Sequence, residues 1–151
     1  MKSAMLRKLG YCFVLVALVV VVAMQFAPPE RTNPPMNPAS SFAVVAQPPG
    51  EVAAVIGRAC RDCHSYETAW PAYSRVWPVS WLVAKDVREG RAKLNFSQWR
   101  GLTPEMTKLR MAAVCGEVTQ GNMPPTYYRP MHPEARLKSE DVRALCAWPT
   151  D

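Results

Sequence analysis

The chain has 151 residues, a net charge of +6 and a mean hydropathy of −0.11, with 15 prolines, five cysteines and two histidines. Without Lys2, Arg7 and Lys8 the balance is 15 basic to 12 acidic residues, or +3. The remaining basic residues are scattered without runs, which argues against a nucleic-acid partner, and the length allows one domain.

Residues 1–8, MKSAMLRK, form a basic flank with no acid, and residues 9–27, LGYCFVLVALVVVVAMQFA, are 19 positions without a charge. That length is enough for a membrane-spanning helix. A cleaved signal peptide is the alternative, but no A-x-A pattern ends the run, and Pro28 and Pro29 follow at once. Either way the basic flank stays in the cytoplasm, so the expected arrangement is a single-pass anchor in the cytoplasmic membrane with a periplasmic C-terminal part. Cys12 lies inside the run behind a bulky Tyr11 and is read as a membrane-buried thiol.

Residues 28–50 hold seven of the 15 prolines and are predicted to be an extended, semi-stiff spacer without a helix. The remaining part, 51–151, is small for a stable core, so a covalent or cofactor staple is expected. Four helices are predicted in it, and no strand. GEVAAVIGRAC carries an apolar stripe of Val52, Val55, Ile56 and Ala59. PVSWLVAKDVREG has Ser80 as N-cap and Gly90 as stop. LTPEMTKLRMAAVCGEVTQG has Thr103 as N-cap, Pro104 at the first helical position and Gly121 as terminator. KSEDVRALCAWP has Ser139 as cap, Glu140 and Asp141 facing the helix dipole, Val142, Leu145 and Cys146 on one face, and Pro149 as its end. The fold class is therefore a small all-α domain.

Cys60-Arg61-Asp62-Cys63-His64 matches C-x-x-C-H, the attachment signature of c-type haem. Two thiols one helical turn apart can add to the two vinyl groups of a porphyrin, and the next side chain can bring an imidazole to the iron. A structural zinc site needs four ligands, and the leftover exported candidates Cys115, Cys146 and His132 are far apart in sequence. A redox dithiol belongs to a βαβ setting, and no strand pattern precedes Cys60. The expected cofactor is one covalently attached haem c, with His64 as proximal ligand.

The stretches CRDCHSYETAWPAYSRVWPVSWLVAKDVREGRAKLNFSQW and GNMPPTYYRPMHPEARLKSEDVRALCAW closely resemble the bacterial haem-binding domain family, which is related to class I cytochromes c. The resemblance covers residues from about 51 to 148 and implies an all-helical, cytochrome c-like fold around one covalent haem in a membrane-anchored or exported protein. It does not imply a settled physiological role.

The function turns on the sixth position of the iron, which carriers fill with Met or His and sensors or catalysts leave open. Met123, in GNMPP, is the favoured ligand. In class I cytochromes c a Met-Pro loop shortly before the C-terminal helix takes that position, and Met123 lies 60 residues after Cys63 and 16 before Ser139. His132 is the rival, Met131 a further candidate, and the competing role for Met123 is plain apolar packing.

Cys115 and Cys146, the exported cysteines left over, are expected to form a disulfide between the last two helices. Trp70, Tyr73, Trp77, Trp81 and Trp99 are expected to wall the haem, and Arg88, Arg91 and Lys93 are candidates to neutralise its propionates. The NFS sequence at Asn95 is too common a pattern to weigh. No catalytic constellation appears. The sequence thus points to an electron carrier, not an enzyme, with the membrane and unnamed redox proteins as partners. A haem-based sensor or peroxidase-like protein with an exchangeable sixth ligand is the alternative.

Overall fold

A computed structural model describes residues 2–148, with side chains from residue 5, so Pro149 lies outside the described residues. Among them there are seven α-helices and no strand, as the sequence pattern requires: α1 Lys2–Gln25, α2 Phe42–Val45, α3 Gly50–Ala59, α4 Arg61–His64, α5 Val79–Lys93, α6 Pro104–Thr119 and α7 Ser139–Ala147. Short 3-10 turns occur at Pro38–Ser40, Ala72–Arg75 and Pro133–Ala135. The chain divides into two compact units, Met1–Arg31 with Trp70–Lys85, and Thr32–Ala69 with Asp86–Asp151.

In the first unit α1 is one continuous helix, basic at Lys2, Arg7 and Lys8 and without charge from Leu9 on. Its stretch Met5–Gln25 is long and apolar enough to cross a membrane, with a mean hydropathy of 2.2 and no buried side chain. The helix ends at Gln25, two residues before the end of the charge-free run.

The second unit is built on α3, α6 and α7. The stripe read from the sequence on α3 is the buried one: Val52, Val55 and Ile56 enter the core beside Met111 and Val118 of α6 and Leu145 of α7. Helix α6 starts as expected, with the Thr103 hydroxyl accepting from the Met106 amide at 3.3 Å and Pro104 in the first turn. It ends at Gly121, whose φ of +74° is open to glycine at little steric cost. Cys115 of α6 and Cys146 of α7 are joined by a disulfide across a separation of 31 residues, which ties the two helices that pack together.

Four local expectations need correction, the first being that Ser80 lies inside α5, which begins at Val79, and is not its N-cap. Residues 28–50 are not a free spacer throughout. Ser41 caps the one-turn helix α2, and Phe42, 3 % exposed, packs edge-on against Phe96, Trp99 and Trp148. The Phe42 amide donates to the Phe96 carbonyl at 2.7 Å, and the Trp99 amide to the Ser40 carbonyl at 2.7 Å. Burial of one large aromatic ring outweighs the prolines on either side, which interrupt helices but permit this single turn. Gly90 does not stop α5, which runs on to Lys93. Ser139 is the first residue of α7 and not its cap. Lys138 holds the cap position, its amide donating to Asp141 Oδ2 at 2.7 Å.

Candidate functional site

Helix α3 gives out at Cys60, whose amide still donates to the Ile56 carbonyl at 3.0 Å, and the chain re-enters helix for the single turn α4. The His64 amide closes that turn on the Cys60 carbonyl at 2.9 Å. Cys60 and Cys63 are therefore three residues apart on one turn, on the same side of the helix, with His64 next in line.

The turn is pressed onto α5. At Gly90 an added Cβ would stand 2.5 Å from the Cys63 carbonyl oxygen and 3.3 Å from its Cβ, so only a residue without a side chain lets the two helices approach this closely. This is why a glycine stands inside α5. The residues that follow turn back across the histidine. The Phe96 amide donates to the His64 carbonyl at 2.7 Å, and the Phe96 ring meets the imidazole edge-on with centroids 6.5 Å apart.

His64 Nδ1 lies 3.0 Å from the Leu94 carbonyl oxygen. A carbonyl only accepts, so Nδ1 carries the proton and Nε2 keeps its lone pair for a ligand. Desolvation lowers the imidazole pKa from its ordinary value, against the opposing pull of the Leu94 and Gly90 backbone, and so favours the neutral ligating form. Both thiols are half-buried, and both are pushed up to about 12. Desolvation is the leading cause in each; the other thiol adds to it at Cys60, and the Asp86 and Asp62 carboxylates add to it at Cys63. A C-x-x-C oxidoreductase needs the reverse, a thiol pKa lowered to expose thiolate.

Asp62, inside the motif, braces the turn. Its Oδ1 accepts from the Ala69 amide at 3.1 Å and its carbonyl from the Thr68 hydroxyl at 2.6 Å. Its Oδ2 accepts from the Tyr128 hydroxyl at 3.1 Å, a contact across 66 residues of sequence. The neighbouring Tyr127 donates to Asp86 Oδ2 of α5 at 3.0 Å. Desolvation, then this carboxylate, pushes its phenol up to about 12. Two successive tyrosines thus tie the loop that carries Met123 to α4 and α5.

That loop is stiff by its own bonding. The Asn122 and Met123 amides both donate to the Glu117 carbonyl, at 3.0 and 3.3 Å. Arg129 spans the loop, Nε to the Pro124 carbonyl at 2.7 Å and Nη2 to the Gly121 carbonyl at 2.6 Å. Met123 is half-buried against the core cluster, which Cys60 also borders. His132 is otherwise engaged. Its ring stacks on Tyr128 with centroids 3.9 Å apart, and its Nδ1 meets Glu134 Oε1 at 2.9 Å. Met131 is 64 % exposed.

The expected aromatic wall divides between the two units. Trp70, Tyr73, Trp77 and Trp81 belong to the first, whereas Trp99 is a core residue of the second, its Nε1 donating to the Thr107 hydroxyl at 3.1 Å. Arg91 is a structural clamp. It donates to the Ser65 and Thr32 carbonyls, to Asn33 Oδ1 and to the Thr68 hydroxyl, which leaves it committed to backbone and loop and not to a free anion. Sequence reasoning gave Gly90 the wrong role, as a helix stop, and missed the hydrogen-bonding roles of Asp86, Tyr127, Tyr128 and Arg129. The adjacent tyrosines beside GNMPP were the one visible signal, two side chains able to donate a hydroxyl hydrogen to a nearby carboxylate.

Among the described residues no three His, Cys, Asp or Glu side chains converge as ligands for a bare metal ion. Two half-buried thiols and an oriented imidazole on one helical turn instead fit a prosthetic group that brings its own metal. The family model described as haem-binding domain matches residues 19–151, and the chain belongs to that family. No curated protein and no solved structure matches the chain.

Proposed function

We propose that this haem-binding protein is a membrane-anchored, mono-haem c-type cytochrome that passes single electrons on the outer side of the cytoplasmic membrane. The observation that carries the reading is the His64 imidazole, fixed by its Nδ1 donor bond to Leu94 beside the two thiols of the same turn. Cys60 and Cys63 would hold the haem covalently, each thiol giving its sulfur to one carbon and its hydrogen to the other of a vinyl C=C, with no net change of redox state. Bound haem supplies reversible one-electron chemistry at its iron. His64 would ligate through Nε2, and the Leu94 carbonyl would fix the ring orientation and raise its basicity. Met123 would supply the sixth ligand from a loop that Arg129 and the two tyrosines hold in place, so that little would rearrange between oxidation states. The stacking of His132 on Tyr128 and its bond to Glu134 support Met123 over the histidine. The basic residues Lys2, Arg7 and Lys8 in the first turns of α1 support an anchor with its N-terminus in the cytoplasm.

Protein made in a host competent for cytochrome c maturation is expected to give a c-type spectrum in alkaline pyridine and, when oxidised, the weak methionine-to-iron charge-transfer band. Met123→Ala abolishes that band and His132→Ala leaves it. Absence of covalent haem, or a band that survives Met123→Ala, rejects the assignment.

A further inference from the structure

In the first unit the segment Trp70–Leu82 is held against the end of α1. The Trp77 amide donates to Gln25 Oε1 at 3.2 Å, the last residue of the apolar span, and Arg31 Nη1 donates to the Ser74 carbonyl at 2.6 Å. The turn at Ala72–Arg75 and the start of α5 therefore sit at the level where the span ends. There the surface is apolar: Val76 is 56 % exposed, Val79 39 %, Trp81 48 % and Leu82 43 %. One turn further along the same helix the exposed residues become Lys85, Arg88 and Glu89. A soluble helix end has no reason to show four large apolar side chains together and then revert to charge. Between Trp70 and Lys85 there is no acidic residue, and Arg75 and Lys85 are basic.

We infer that Val76, Val79, Trp81 and Leu82 form a lipid-contacting surface that lies in the outer headgroup boundary of the membrane holding α1, with Arg75 and Lys85 facing anionic phospholipid. Tryptophan is the residue suited to that depth, its ring body apolar and its N–H wet, and an apolar helix face of this kind buries about 5–10 Å into the boundary. The surface is continuous with the span through the Gln25–Trp77 bond, which selects lipid as its occupant. It seats the start of α5 at the lipid surface beside the end of α1. The inference rests on the anchoring reading above.

The test uses the full-length, haem-loaded chain with Cys12→Ser, carrying Trp81→Cys or Val79→Cys labelled with bimane, in vesicles of phosphatidylcholine and phosphatidylglycerol. Leu109→Cys on α6, at a 73 % exposed position, is the control, and the chain without an added cysteine corrects for label on Cys60 or Cys63. Bromination of the acyl chains is expected to lower emission about twofold at positions 79 and 81 and to leave position 109 unchanged. Chain that floats with vesicles but shows no difference between the positions overturns the surface and leaves the anchor standing. Emission that follows protein-to-lipid ratio in place of bromination also overturns it, in favour of a second copy of the chain. A chain that does not float rejects the anchor, and the surface with it.

Discussion

Gly90 and Arg58 show how single side chains set the geometry of this domain. At Gly90 a methyl group would collide with backbone, the Cys63 carbonyl, which cannot rotate away. Gly90→Ala is therefore expected to push α4 off α5 at a cost of about 1–3 kcal/mol, the range for overpacking, although alanine favours helix at an ordinary site. Urea denaturation and the yield of covalently bound haem should fall together; an unchanged yield would show that the turn tolerates displacement. Arg58, at the end of α3, reaches Asp141 of α7 at 2.6 Å and the Glu134 and Arg136 carbonyls. That hydrogen bond holds the Asp141 carboxyl below its ordinary 3.8, with desolvation pulling the other way. The folded chain thus releases this proton more readily than the unfolded one. The contribution is complete well above pH 3.8 and is lost as pH falls below it through the folded value. Arg58→Ala should cost about 1 kcal/mol at pH 7, a figure kept low because Arg58 is part-exposed, and much less at pH 3. Urea midpoints at both pH values check the difference, and an equal loss at the two would mean that the backbone acceptors, not Asp141, carry the bond.

Among the elements, most of those whose determinants are local were legible in the sequence, although the α7 cap, set by Lys138 and Asp141, was read one residue late. The α3 stripe, the Thr103 cap, Pro104 and the Gly121 terminator all act within a few residues, and each is where the pattern puts it. The C-x-x-C-H motif was read from its spacing alone, and the structure places Cys60, Cys63 and His64 on one short turn. What the sequence hid was set by distant partners. Gly90 reads as a helix stop until the Cys63 carbonyl is known to lie against it. Residues 28–50 read as spacer because proline density is a local property, whereas the pocket that takes Phe42 is made by Phe96, Trp99 and Trp148. The family match, which begins at residue 19, also takes in this segment. Phe42→Ala is expected to destabilise the domain by about 3–5 kcal/mol, the cost of emptying an aromatic site in a core. A thermal or urea transition that does not move would restore the spacer reading and remove α2 from the domain.

At the scale of the whole molecule the site is closed by contacts between parts far apart in the chain. The turn of Cys60, Cys63 and His64 and the loop of Met123 are joined through Tyr128 to Asp62 and Tyr127 to Asp86, across 66 and 41 residues. If Met123 ligates, these two hydroxyls hold shut the side on which an external ligand would enter. Each is a hydrogen bond to a carboxylate at a partly exposed site, worth about 1 kcal/mol after screening. Losing both adds about 2 kcal/mol in favour of the open loop, or roughly a thirtyfold rise in its population. The doubly substituted Tyr127→Phe, Tyr128→Phe chain is therefore expected to bind cyanide about ten- to thirtyfold faster in its oxidised form and to lose up to the same about 2 kcal/mol of folding stability. Stopped-flow mixing of oxidised wild type and variant with cyanide measures this directly. Equal slow rates would place the barrier in the Met123 bond itself, and equal fast rates would mean that the sixth position is already open, which favours the sensor or peroxidase-like reading over electron transfer. The tyrosine pair thus separates the two functions by a rate, because a carrier needs the loop closed in both oxidation states and a sensor needs it to yield.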